Sequence, residues 1–188
     1  MNVPNAITLS RLLVTAATFV CLEFVGDPLR PDQWLIWFAF ALFMLAAVTD
    51  FLDGYLARKW QMVTAFGRVA DPFADKVLIA GTLVMLLKFP AATQVLTWWY
   101  VVIVVAREFL VTAVRGVVEA SGRPFPADRL GKWKMVSQCW TAAALLTLVA
   151  GTEFWHWAAV LGLWVSLVLT VVSGANYVWK ARDVLFAQ

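Results

Sequence analysis

Six apolar runs of roughly 20 residues take up most of this chain, and a run of that length is enough for one helix to cross a bilayer. They cover residues 6–26, 34–56, 71–89, 97–118, 135–151 and 155–179. The chain has 188 residues, 62% of them hydrophobic and only 14% charged, which lies well outside the mixture of soluble globular domains. The pattern predicts an all-α integral membrane protein of six transmembrane helices, forming a single domain over 1–188. No internal repeat, heptad seam or low-complexity tract appears. The opening "MNVPNAITLSRLL" has no basic cluster before its apolar stretch and no small-residue cleavage site after it, so it reads as a retained first span. Cys21 and Cys139 fall inside apolar runs without a CxxC pair, and neither a disulfide framework nor a zinc site is expected.

The positive charges set an orientation. With the N-terminus in the cytoplasm, all of the 15 Lys and Arg residues except Arg30 and Lys88 lie on or near the cytoplasmic side. Both termini are therefore expected to be cytoplasmic, in the inner membrane. Tryptophans agree: Trp34, Trp37, Trp98, Trp99, Trp155 and Trp157 fall near the outer ends, and Trp60, Trp133 and Trp179 near the inner ones. The net charge of +3 is then a topology signal with some attraction to anionic lipid, and nucleic-acid binding is not needed to explain it. The outer connections are short. The two larger polar connections, 58–70 and 119–134, face the cytoplasm, and the second reads as a loop with a short surface turn or helix. His156 sits between two tryptophans as an interfacial residue, and no serine has a visible base partner for a nucleophilic triad.

Between the second and third apolar runs lies "DFLDGYLARKWQMVTAFGRVADPFAD". Asp50 and Asp53 are three residues apart and Asp71 and Asp75 four apart, so on helices each pair shares a face. A hairpin brings both pairs to one depth at the cytoplasmic end. Four carboxylates gathered there repel one another and lose solvation, which calls for a counter-charge. Hard oxygen donors at this density suit Mg²⁺ or Mn²⁺, and more than two carboxylates allow two ions. Gly54, Ala57 and Gly67 keep the wall low for a bulky ligand, and Arg58 offers a planar fork to phosphate. Pro72 fits the first turn of the third helix. The combination points to a diphosphate site.

The pattern D-x2-D-G-x2-A-R-x8-G-x3-D-x3-D is filled at every position, by Asp50, Asp53, Gly54, Ala57, Arg58, Gly67, Asp71 and Asp75. It resembles the signature of the CDP-alcohol phosphotransferases, membrane enzymes of phospholipid synthesis. The resemblance implies that Asp50, Asp53 and Asp71 hold two divalent ions on the diphosphate of a CDP-linked donor. Asp75 would be the general base and would also touch one ion. Gly54, Ala57 and Gly67 would make room for cytidine, Arg58 would bind the diphosphate, and Thr64, Asn5 and Thr8 would complete the donor site. A homodimer is implied as well.

A basic group points to the acceptor. Arg107 and Arg115 lie about two helical turns apart in the fourth run, and Lys132 and Lys134 stand at the entrance to the fifth. Arg107 follows "VVIVVA" within the apolar segment and needs a partner or a polar cavity there. Together these residues suit an anionic acceptor such as a phosphate monoester. "PNAITLSR", "REF" and "GKWK" resemble the branch of the family that transfers the phosphatidyl group of CDP-diacylglycerol to glycerol-3-phosphate. Met135 stands where that branch commonly has Thr, and "SGRPFPADR" departs from its usual loop, so transfer to inositol-phosphate stays open. In other classes, a divalent-cation transporter would place its acids near mid-membrane in repeated halves, neither of which is seen here. An inert scaffold leaves the acids unexplained.

Overall fold

The computed structural model describes the backbone of residues 3–60, 65–123, 125 and 128–185, and the side chains of 8–50, 70–123, 125 and 128–185. Among these residues there is no strand. The six expected segments are six long helices: α1 (Val3–Glu23), α2 (Gln33–Trp60), α3 (Ala65–Leu86), α5 (Trp98–Ala120), α6 (Arg129–Val149) and α7 (His156–Leu185). A single turn, α4 (Pro90–Thr93), interrupts the third connection, with Pro90 at its first position where a missing amide costs nothing.

Helix ends follow local chemistry. Asp32 precedes α2 and its carboxylate accepts the Trp34 amide at 3.0 Å, satisfying one of the free donors of the first turn. Gly122 and Gly151, at φ +80° and +86°, stop α5 and α6 in the left-handed conformation that closes a helix and that only glycine adopts freely.

Two helix positions differ from the sequence reading. Pro72 lies well inside α3, which begins at Ala65, so it is not in the first turn. Proline removes its own amide bond and crowds the carbonyl one turn before it, yet α3 continues through it. The polar connection ends earlier than expected: α6 already begins at Arg129, so Lys132 and Lys134 are helical. Asp128, extended at φ −86° and ψ 152°, marks the transition.

Helix α1 packs along α2 and α3, and α7 packs along α5 and α6. The two trios meet where α6 lies against α2 and α3 and where α5 meets α3. The apolar core fills one end of this bundle, with Leu22, Ile36, Phe43, Leu83, Leu86, Tyr100, Leu145 and Leu163 almost completely buried. Large apolar side chains also cover the outside, including Leu13, Phe24, Leu45, Phe109 and Trp164, as suits a lipid-facing surface. Among the described residues, two stretches are long and apolar enough to cross a membrane, Gln33–Asp50 and Glu153–Leu185.

The interior is not wholly apolar. Ser166, Thr170, Ser173 and Tyr177 recur at spacings of three or four along α7 and are all buried. Each of the three hydroxyls donates to a carbonyl of its own helix: Ser166 to Leu163 at 3.0 Å, Thr170 to Ser166 at 2.6 Å, and Ser173 to Thr170 at 3.2 Å. Their oxygens then meet Tyr100 Oη at 2.6 Å, Gln138 Nε2 at 3.0 Å and Arg107 Nη2 at 3.0 Å.

Candidate functional site

Helices α1, α2 and α3 bring an acidic group together at the end of the bundle opposite the apolar core. Asp71 and Asp75 stand one turn apart on α3, and Asp50 lies in the second half of α2. Across from them, α1 presents Thr8, Arg11, Thr15 and Thr18, all buried, at the spacing of one helical face. Thr8 Oγ1 donates to Asp71 Oδ1 at 2.6 Å. Arg11 Nη1 donates to Asp50 Oδ1 at 2.5 Å and to Asp75 Oδ1 at 3.2 Å. One guanidinium nitrogen therefore joins carboxylates from two helices, and its own residue is only 3% exposed.

The sequence reading counted Arg11 as a topology charge and missed this role. The available signal was the polar stripe of α1, since a polar residue every three or four positions in an apolar helix marks an inward face. Of the expected donor and metal residues, Thr8, Asp50, Asp71 and Asp75 are brought together. Thr64 lies outside the described residues, as do the side chains of Asn5, Asp53, Gly54, Ala57, Arg58 and Gly67.

Among the described residues, no three acidic, histidine or cysteine side chains stand close enough together to hold an ion. The donor chemistry nonetheless fits a hard divalent cation. Asp50 and Asp75 already converge on one cationic nitrogen, and Asp53 follows Asp50 by three residues in the same helix.

The basic group lies on α5, α6 and α7. Glu108 accepts from Arg107 Nη1 at 3.2 Å and from Lys134 Nζ in a still closer contact. Arg107 and Lys134 are both buried, so two cations from different helices are held on one carboxylate. The partner that Arg107 needs within its apolar segment is its own neighbour Glu108, although consecutive helical side chains diverge. Glu108 also holds Lys134. Arg115 takes a different partner: its Nη2 donates to Tyr177 Oη at 3.2 Å. Lys132 is exposed, and only Lys134 of that pair turns inward, as expected for positions two apart on a helix.

The two groups are physically linked. Lys76, next to Asp75, donates to Thr112 Oγ1 at 2.6 Å, and Thr112 Oγ1 donates to the Glu108 carbonyl at 2.7 Å. On the far side, Asp128 accepts from Asn176 Nδ2 and from Lys180 Nζ, the latter at 3.0 Å. The Lys180 hydrogen bond holds the Asp128 carboxyl below the usual carboxylate range. The basic group can face an anion directly, whereas the acidic group could do so only through bound divalent cations.

Comparison with known proteins gives a consistent picture. The family model described as CDP-alcohol phosphatidyltransferase matches residues 1–172. A CDP-diacylglycerol–glycerol-3-phosphate 3-phosphatidyltransferase of Bacillus subtilis is 37% identical over 194 residues, covering 98% of this chain and 97% of its own. The protein of the same name from Rickettsia typhi is 32% identical over 187 residues, covering 98% and 99%. A probable phosphatidylglycerophosphate synthase of Mycobacterium tuberculosis is 34% identical over 184 residues, covering 97% and 83%.

Proposed function

The chain belongs to the CDP-alcohol phosphatidyltransferase family, and from that premise we propose that it transfers the phosphatidyl group of CDP-diacylglycerol to glycerol-3-phosphate, giving phosphatidylglycerophosphate and CMP. The observation that carries this reading is the pairing of an acidic group on α1–α3 with a buried basic group on α5 and α6, tied together through Lys76 and Thr112. The first suits a metal-bound diphosphate and the second a phosphate monoester. Relatives named for this reaction over nearly their full length support it.

In this reading Asp50, Asp53, Asp71 and Asp75 hold Mg²⁺ or Mn²⁺, two ions by resemblance to the family. When bound, the ions neutralise the donor diphosphate and stabilise the CMP that leaves. Asn5, Thr8, Gly54, Ala57, Arg58, Thr64 and Gly67 form the donor site. Arg107, Arg115 and Lys134, with Lys132 at the rim, receive the acceptor phosphate. Asp75 takes the proton of the acceptor hydroxyl, and that oxygen attacks the phosphorus bearing diacylglycerol. The bond from this phosphorus to the CMP oxygen breaks. Arg11 fixes the direction in which the Asp75 carboxylate points. Around this site we infer one domain of six membrane spans, both termini cytoplasmic, and a homodimer.

The test is CMP release by the purified protein from CDP-diacylglycerol, with glycerol-3-phosphate, inositol-phosphate, serine or phosphatidylglycerol supplied separately. Release with glycerol-3-phosphate alone is expected, lost on chelation and restored by Mg²⁺ or Mn²⁺. Release only with inositol-phosphate would reassign the acceptor. A folded preparation that releases no CMP with any of them would overturn the enzymatic reading and favour cation transport.

A further inference from the structure

Arg107, which is buried, and Arg115, which is half-buried, rest on α7, which carries none of the residues expected for binding. Tyr177 is 3% exposed, and its ring lies beneath two guanidinium groups, with Arg107 Cζ at 5.6 Å and Arg115 Cζ at 5.9 Å from its centroid. Its hydroxyl oxygen accepts from Arg115 Nη2 at 3.2 Å and from the Asp128 amide at 3.0 Å. Four residues earlier, Ser173 Oγ accepts from Arg107 Nη2 at 3.0 Å. Between them, Gly174 lets the Arg107 stem lie against the helix: a Cβ there would stand 3.2 Å from Arg107 Cγ.

Two like charges over one ring repel, so this arrangement has a cost that simple packing does not require. It is useful where both cations must face one dianion. A ring face attracts each guanidinium, while Ser173 and Glu108 hold Arg107 through Nη2 and Nη1 and the Tyr177 hydroxyl holds Arg115 through Nη2, so each fork keeps further N–H groups for a ligand. We propose that Tyr177 and Ser173 are positioning residues for the acceptor, holding Arg107 and Arg115 at the separation that grips the phosphate of glycerol-3-phosphate. This rests on the assignment of the basic group as the acceptor site. Through the Asp128 amide, the same tyrosine also anchors the residue that leads into α6.

The experiment is calorimetric titration of glycerol-3-phosphate into the full-length protein in detergent, with steady-state kinetics, for Tyr177→Leu, Tyr177→Phe, Ser173→Ala and Arg107→Gln. Tyr177→Leu removes both ring and hydroxyl and is expected to weaken acceptor binding about tenfold, the size of one well-desolvated cation–π contact. Tyr177→Phe keeps the ring and is expected to recover about half of that loss on a logarithmic scale. Ser173→Ala should fall in the same range as Tyr177→Phe. The KM for CDP-diacylglycerol, and kcat at saturating acceptor, should stay near wild type in all three.

Should Tyr177→Leu fail to fold, Tyr177→Phe and Ser173→Ala decide alone. Wild-type acceptor affinity in those two overturns the proposal. So does a parallel rise of both KM values with a lower unfolding temperature, the mark of a merely structural role. Arg107→Gln separates the two levels of inference. If it binds acceptor normally, the acceptor-site reading fails and this proposal with it; if it loses binding while the α7 variants do not, only this proposal fails.

Discussion

Arg11 is the residue on which the acidic group depends. A guanidinium 3% exposed and shared by Asp50 and Asp75 has no solvent to replace it, and removing it strands two partly buried carboxylates. Arg11→Gln is predicted to lower stability by about 3 kcal/mol, read by thermal unfolding in detergent. Arg11→Lys keeps the charge but not the planar fork, and should fall between the two. An unchanged unfolding temperature for Arg11→Gln would mean that the ion pairs contribute nothing. Asp75→Asn should retain CDP-diacylglycerol binding yet lose turnover by a factor on the order of 10² to 10⁴, the usual contribution of a general base. Asp53→Asn should instead weaken metal-dependent donor binding. Wild-type turnover in either variant contradicts the roles given to these acids. The convergence of Asp50, Asp71 and Asp75 was legible in the sequence because acids at helical spacing on either side of a hairpin fall at one depth. Arg11, Ser173 and Tyr177 were not, because each takes its meaning from a partner on another helix, and a linear reading of topology charges does not pair helices.

At the scale of elements, the register of α1 against α3 decides whether the acids meet their partners. The two helices touch closely at Gly81, where a Cβ would lie 2.2 Å from Phe19 Cζ. Phe19 follows Arg11 by about two turns, and Gly81 follows Asp75 by less than two, so any separation there carries into the site. Gly81→Ala is predicted to destabilise by roughly 1–3 kcal/mol through overpacking and to reduce turnover, while Phe19→Leu combined with it should restore part of both. A double-mutant cycle on unfolding temperature and CMP release measures the coupling, and strictly additive effects would show that the contact is not limiting. The existence of six long helices was readable from apolar run length alone. Their ends were less so: residues 129–134 read as the close of a polar connection with a short surface turn or helix, yet they form the first turns of α6 itself. Pro72 looked like a helix start, whereas a proline inside a packed helix is tolerated when it sacrifices a single hydrogen bond.

For the whole molecule, the sorting of Lys and Arg predicts its direction in the membrane. In a variant with Cys21 and Cys139 replaced by alanine, a cysteine introduced as Asp27→Cys or Glu153→Cys should react with a membrane-impermeant thiol reagent in intact cells. One introduced as Ser121→Cys should react only after permeabilisation. The reverse pattern would turn the acidic group toward the outside, away from cytoplasmic CDP-linked donors. The helix trios also divide the chemistry: α2 and α3 carry Asp50, Asp71 and Asp75, α5 and α6 carry Arg107, Arg115 and Lys134, and α6 lies against both sides.

The hydroxyl stripe of α7 has a consequence for how such a molecule is assembled. Ser166, Thr170 and Ser173 have each committed their proton to a carbonyl of their own helix, so α7 can enter lipid with none of these protons unmatched. What they hold out sideways is lone pairs only. Neighbouring helices must therefore arrive carrying protons, as Tyr100, Gln138 and Arg107 do. A helix turned to the wrong face would offer it hydrocarbon, and one whose inward groups were acceptors would be repelled. The stripe thus works as a one-sided key, permitting insertion first and selecting the correct docking afterwards.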